Sequence, residues 1–212
     1  TALSSHELAL GYKKVKENSV YIKFKLLPNQ KIGDFTTDDK TYILSWTTTP
    51  WTLPGNVALA VGEDIEYVTW SESVNHKTET YIIAVPCFNK MQIQALVGSK
   101  FTGKDLVGLE YEPLFDISQL KNDKSHKVYT ADFVTTMEGT GVVHTAVMYG
   151  EDDYNLGKEV GLPQFHTVTE DGKFIDSVPE VGGMKEKIPE SDGKIIEYLK
   201  KNGNYLKEEL FE

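Results

Sequence analysis

Arginine is missing from this sequence. Its 22 basic side chains other than histidine are all lysines, against 32 acids, for a net charge of −10. A stand-alone nucleic-acid binder ordinarily shows a basic face, and this balance argues against one. It leaves room for a domain that receives only the end of a nucleic acid delivered by a larger body. Lysines, point charges without the guanidinium fork, would then make every phosphate contact. Cysteine is nearly as scarce. The single Cys87 excludes an intramolecular disulfide and any CxxC zinc site; it reads as a buried thiol and fits a reducing cytoplasm. No apolar run is long enough to span a membrane, and no signal-peptide pattern is legible. Internal repeats and low-complexity tracts are lacking too.

What is there is ordinary in bulk and unusual in two places. With 40% hydrophobic and 25% charged residues over 212 positions, the chain has the composition of a soluble globular domain with ample length for a core. It starts at Thr1 and not at Met, which reads as excision from something longer. The first unusual stretch runs Trp46-Thr47-Thr48-Thr49-Pro50-Trp51-Thr52-Leu53-Pro54-Gly55-Asn56. Two prolines and a glycine forbid a continuous helix or central strand there. Thr41 to Trp46 before it and Val57 to Val61 after it read as strands. The stretch is therefore a rigid connection between two core strands, with hydroxyls placed to bind something polar. A Thr-rich turn satisfying its own backbone fits the residues equally well.

Elsewhere, Val20 to Leu26, Ile65 to Trp70 and Thr80 to Val85 read as strands, with a polar turn at Asn75. A short helix is possible around His6 to Tyr12. Pro28 to Lys40 reads as a polar loop, and residues 118–126 as a charged, solvated one. Pro86 opens a predicted helix with Phe88, Met91, Ile93, Ala95 and Leu96 on its apolar face, ending before Gly98. One more short strand is expected within Gly103 to Glu112. Val128 to Thr136 and Gly141 to Ala146 are β-rich around a glycine turn. Glu151 to Val160 reads as a helix with three acids in its first turn, stopped by Gly161-Leu162-Pro163. Glu170-Asp171-Gly172-Lys173 is a hairpin-type turn. A last helix starts at Pro189 with Ile195, Ile196 and Leu199 inside and Gly203 past its end. Many short strands with a few helices predict an α+β domain on a barrel or curled sheet.

The second unusual stretch is Gly139-Thr140-Gly141-Val142-Val143-His144-Thr145-Ala146, continuing through Val147-Met148-Tyr149 to Gly150-Glu151-Asp152-Asp153-Tyr154. Together the two stretches closely resemble the editing (CP1) domain of class I isoleucyl-tRNA synthetases, with its T-T-T-P-W-T-L-P-G-N loop and G-T-G-x-V-H…G-x-D-D-Y segment. Valyl and leucyl relatives generally continue their Thr-Thr with Arg-Pro, so Thr49-Pro50-Trp51 points to the isoleucyl branch. The resemblance covers nearly the whole chain. It implies a β-barrel-like editing domain with a few peripheral helices over residues 1–212, without the Rossmann catalytic domain or the anticodon-binding domain. Neither the H-I-G-H nor the K-M-S-K-S signature occurs, so the fragment is not expected to activate amino acids.

The resemblance also implies roles. Asp153, the second acid of the D-D-Y motif, would anchor the substrate's α-ammonium; as residues alone, all three acids suit a helix dipole. Thr47 and Thr48 would contact the terminal adenosine and ester and place the attacking water, with Thr49 beside them. Trp51, Thr52 and His144 would line the amino-acid pocket, His144 and Thr52 limiting its size; His144 is not assigned as a general base. Asn56 would hydrogen-bond the substrate or hold the loop, and Trp46 reads as core. One departure stands out: many family members have Pro after the residue matching Ala146, where this chain has Val147. The implied activity is hydrolytic proofreading of valine by deacylation of Val-tRNA(Ile), as the second sieve of a cytoplasmic synthetase, with hydrolysis of valyl-adenylate left open beside it. The implied partners are the 3′ end of tRNA(Ile) and the rest of the synthetase polypeptide, with no membrane, metal or cofactor. Alternatives are a valyl- or leucyl-type editing domain and a non-catalytic ligand-binding barrel.

Overall fold

The computed structural model describes residues 17–211 apart from 75, 94 and 96. The helix considered around His6 to Tyr12, the turn at Asn75 and the apolar role of Leu96 lie outside the described residues.

The strands are β1 (Glu17–Lys25), β2 (Lys31–Ile32), β3 (Phe35–Thr36), β4 (Thr41–Thr47), β5 (Ala58–Val61), β6 (Glu66–Val74), β7 (Lys77–Ala84), β8 (Val97–Thr102), β9 (Lys127–Thr130), β10 (Val142–Thr145) and β11 (Tyr205–Phe211). The α-helices are α1 (Val85–Lys90), α2 (Gly103–Leu106), α3 (Glu151–Val160) and α4 (Pro189–Lys201). Six strands form one sheet in the order β11-β1-β4-β7-β6-β8, three form a second in the order β10-β5-β9, and β2 and β3 make a small ribbon. The α+β class expected from the sequence is the one observed. The two larger sheets meet where Ser45 on β4 donates its hydroxyl to the Val142 carbonyl on β10 at 2.9 Å, out of contact with solvent.

The core follows from the strand patterns. Ile22, Phe24 and Leu26 point inward from the β1 segment, as period-2 alternation requires. Lys23, on the other face, is buried as well. Its ammonium meets Glu79 at 2.7 Å, and Tyr81 donates to the same carboxylate oxygen at 2.6 Å, so the charge is paired and hydrogen-bonded.

Three expectations are corrected. The helix opened by Pro86 is only α1, because Gln92 turns to a left-handed φ of 52° and the chain returns to the sheet. Residues 97–102 instead form β8, antiparallel to β6, with Phe101 opposite Tyr67. Edge pairing of a β-branched and aromatic run outweighs a helical apolar spacing that few turns support. The segment after Gly103 starts as helix α2, not as a strand. Thr102 and Asp105 close a capping box, the Thr102 N–H donating to the Asp105 carboxylate at 2.7 Å. Only single bridges from Glu110 and Tyr111 follow. Finally, Val128 to Thr136 is strand only as far as Thr130.

The sequence reading did not foresee β11. It pairs antiparallel with β1, Lys207 opposite Tyr21, and covers that edge of the larger sheet. Helices α3 and α4 have the expected limits. Gly161 closes α3 in the left-handed conformation at φ 81°.

Candidate active site

The site is assembled by one pairing. β5 runs antiparallel to β10 with His144 opposite Leu59 and Thr145 opposite Ala58, and the Val57 N–H donates to the Thr145 carbonyl at 2.9 Å. β5 follows the threonine loop directly, and β10 leads through the short segment 146–150 into α3. The register therefore brings the loop and the first turn of α3 together, although about a hundred residues separate them in the chain.

The loop itself is a 3-10 turn, Pro50–Gly55, entered from β4. Pro50 suits its first position, where no N–H is needed. The hydroxyls are not equivalent. Thr47 is buried, and its Oγ1 accepts the Thr49 N–H at 3.1 Å and lies 3.2 Å from the Thr49 hydroxyl. Thr48 is half-buried and makes no side-chain hydrogen bond within the described residues, while Thr49 is exposed. Both line a cleft of about 610 Å³ with Pro50, Trp51 and the start of α4. The Thr47 hydroxyl is engaged within the loop, and the Thr48 hydroxyl is left available.

Thr52 and His144 form a buried pair, 7% and 8% exposed, with Thr52 Oγ1 3.1 Å from His144 Nε2. Thr52 gives its one hydroxyl proton to the Thr49 carbonyl at 2.9 Å. It must then accept from Nε2–H, which makes Nδ1 the unprotonated nitrogen. Nδ1 is buried without a hydrogen-bond partner, a cheaper arrangement for a bare lone pair than for an N–H. Burial pushes the imidazole pKa down to about 4, so His144 is a neutral wall and a weak base near neutrality.

Asp153 is the third residue of α3, half-buried in the first helical turn. Glu151 and Asp152 beside it are exposed. A Cβ on Gly150 would stand 2.8 Å from an Asp153 carboxylate oxygen, so only glycine lets the carboxylate lie against this backbone. Burial raises its pKa to about 6; the Ala146 N–H opposes the shift, and Asp152 adds to it. Above that pH it is an ionised carboxylate with little solvation, the state that gains most from an incoming cation.

The chain's departure after Ala146 does not slacken the loop. Val147 is buried against Gly157 of α3, and the Tyr149 N–H closes a turn on the Ala146 carbonyl at 2.9 Å. The Tyr149 ring meets Trp51 edge-on, with centroids 5.1 Å apart, and a Cβ on Gly55 would strike it at 2.8 Å. Its hydroxyl accepts the Thr167 N–H at 2.8 Å and lies 2.8 Å from the Thr167 hydroxyl. Tyr149, Trp51, Met148 and Glu151 line a second cleft, of about 490 Å³. Thr52, His144 and Asp153 are not among the lining residues of either cleft.

Asn56 separates from the other candidates. It is buried, its Oδ1 accepts the Tyr111 hydroxyl at 2.7 Å, and its Nδ2 donates to the Ala58 carbonyl at 2.9 Å. Of the two roles weighed for it, holding the loop is the one these bonds perform. Asn56→Ala should cost about 1–3 kcal/mol by orphaning the buried Tyr111 hydroxyl, read as a shifted denaturant midpoint. Ligand affinity of the protein still folded should be unchanged; a selective loss of affinity would return Asn56 to the binding surface. Trp46 is half-buried and packs against Gly139.

Sequence reasoning missed what the C-terminal third contributes. Lys187, Asp192 and Glu208 line the larger cleft, and Lys187 lines the smaller one too. No local signal marks these positions. Among the described residues, no group of three or more histidine, cysteine or acidic side chains is arranged to hold a metal ion, and no helix is long and apolar enough to cross a membrane.

No family model matches the chain. The isoleucine–tRNA ligase of Clostridium novyi is 44% identical over 212 residues and that of Bdellovibrio bacteriovorus 40% over 215, each match taking in the whole chain. The chain spans 19% of the length of these relatives. Among solved structures, the Plasmodium falciparum cytosolic leucyl-tRNA synthetase editing domain superposes with a TM-score of 0.67 at 13% identity, over 90% of this chain and all of that one. The CP1 domain GlLeuRS-CP1 gives 0.65 at 14%, over 89% and 98%. By sequence over its whole length the chain therefore matches a segment of the isoleucine–tRNA ligases, and it takes the fold of the CP1 editing domains.

Proposed function

We propose that the chain is a hydrolytic proofreading module: it removes valine from mischarged tRNA(Ile), and from valyl-adenylate, as the second sieve of an isoleucyl-tRNA synthetase. The observation that supports this reading is the β5–β10 register, which pairs the strand after the threonine loop with the strand before the segment that enters α3, whose first turn carries the half-buried Asp153. Asp153 holds the α-ammonium of the aminoacyl group. Thr48, with Thr47 and Thr49 shaping the loop around it, holds the ribose and ester and places a water. The water oxygen adds to the ester carbonyl carbon, and the ribose oxygen leaves as an alcohol, taking the proton the water gives up. A neighbouring ribose hydroxyl assists that transfer. Trp51, Thr52 and His144 bound the side-chain pocket. Catalysis on this reading rests on placement and electrostatics and uses no cofactor.

The module is a single domain over residues 1–212 of a larger cytoplasmic synthetase, whose other parts activate the amino acid and present the tRNA. The test is release of valine from valyl-tRNA(Ile), with isoleucyl-tRNA(Ile) as the control and the Asp153→Ala protein beside it. Selective, Asp153-dependent loss of valine is expected. Failure to hydrolyse valyl-tRNA(Ile), together with failure to bind a non-hydrolysable valyl-adenosine, would overturn the reading in favour of a non-catalytic barrel. A valyl-type domain would prefer threonyl esters; Thr49-Pro50-Trp51 and the isoleucine–tRNA ligase relatives favour the isoleucyl branch.

A further inference from the structure

We infer that Lys187 is a positioning residue for the phosphodiester that leads into the terminal adenosine of the tRNA. This rests on the editing reading above and adds a contact to it. Two clefts share Trp51 and Lys187 in their linings. Among the described residues, Lys187 is the one cation in either lining; the other charged lining residues are Asp192, Glu208 and Glu151. A polyanionic strand entering past three acids, in a chain of net charge −10, needs a positive group at the point of entry.

The geometry supplies one. The Lys187 ammonium lies 4.6 Å from the centre of the Trp51 ring, so a flexible side chain is parked at the rim without being neutralised. No carboxylate pairs with it among the described residues, whereas Lys23, Lys25, Lys104, Lys121, Lys127 and Lys200 all have acidic partners. Its backbone is left-handed at φ 52°, a conformation glycine adopts at lower cost, so the position carries a long cationic side chain at the expense of local strain. The positive end of the α4 dipole begins two residues on, at Pro189, and adds to the same field. Trp51 is thus shared between the amino-acid pocket and the strand's entry, with Lys187 over its ring.

The experiment compares two non-hydrolysable ligands: valyl-amino-adenosine, and the cytidylyl-adenosine dinucleotide carrying the same valyl amide. Binding to the unsubstituted chain, Lys187→Gln and Lys187→Arg is measured across a salt series. The phosphodiester is expected to improve binding to the unsubstituted chain by about 10-fold, the size of one charge-assisted hydrogen bond. Lys187→Gln should lose that gain and bind the nucleoside as before, while Lys187→Arg keeps it. The slope of log affinity against log salt for the dinucleotide should shrink by about 0.7 in Lys187→Gln, the loss of one phosphate contact on a single strand. An undiminished phosphodiester gain in Lys187→Gln, or no gain in the unsubstituted chain, overturns the assignment and leaves the editing reading standing. Binding of neither ligand by the unsubstituted chain overturns both.

Discussion

Asp153→Asn is expected to lose between about 30- and 4,000-fold in kcat/KM for valine release, the range for removing one partner of a desolvated charge pair. The same substitution should make the chain more stable at pH 7. Both effects have one cause. Burial raises the Asp153 pKa to about 6, above its ordinary 3.8, so the folded chain holds this proton more tightly than the unfolded chain does. Between those two values stability from this group falls as pH rises; above pH 6 the ionised carboxylate is a net cost to folding. Asparagine removes that cost, which is at most about 3 kcal/mol and smaller with the screening that partial exposure allows. Chemical denaturation at pH 7 and at pH 4 should therefore separate the two proteins at the higher pH and not at the lower. Hydrolysis by the parent should rise with pH through about 6, and that limb should vanish in Asp153→Asn. Retained hydrolysis by the asparagine variant would remove Asp153 from the mechanism, whatever happened to stability.

His144→Ala should let isoleucyl esters in. A pocket tells valine from isoleucine by one methylene, worth about 1–3 kcal/mol, a limit for which isoleucyl-tRNA synthetase is the standing illustration. Removing the imidazole should raise hydrolysis of isoleucyl-tRNA(Ile) by roughly 10–200-fold, with valine release changed much less. The hydrogen bonds make His144 the better side of the pair to cut. Without it, Thr52 keeps its bond to the Thr49 carbonyl. Thr52→Ala instead leaves a buried Nε2–H with no acceptor, at about 1–3 kcal/mol, and mixes a stability loss into the readout. Isoleucyl ester still excluded by a folded His144→Ala protein would place the size gate elsewhere.

Of the candidates named from the sequence, Thr48, Thr49 and Trp51 line the larger cleft, while Thr52 and His144 pair behind the loop and Asp153 rests on Gly150. These were legible because each sits in an unusual local run, and because such runs fix their own backbone: proline at the start of the 3-10 turn, glycine before the acids of α3. Asn56 looks the same in sequence as a ligand-binding amide. Its assignment to the loop depends on Tyr111, 55 residues away. Thr47 likewise spends its hydroxyl on the loop, a choice its neighbour Thr48 does not make.

The sequence alone determined the strand-loop-strand unit around Trp51, the limits of α3 and α4, the absence of arginine and the α+β class. All of these rest on local propensity, capping and composition, which act within a few residues. The tertiary structure decided which faces meet: the β5–β10 register that joins Thr52 of the threonine loop to His144, the edge strand β11, the early end of α1, and the placing of Lys187 over Trp51. Those depend on burial and pairing between segments far apart in the chain. No spacing within either segment records them, because the energy that selects them exists only once both surfaces have left water.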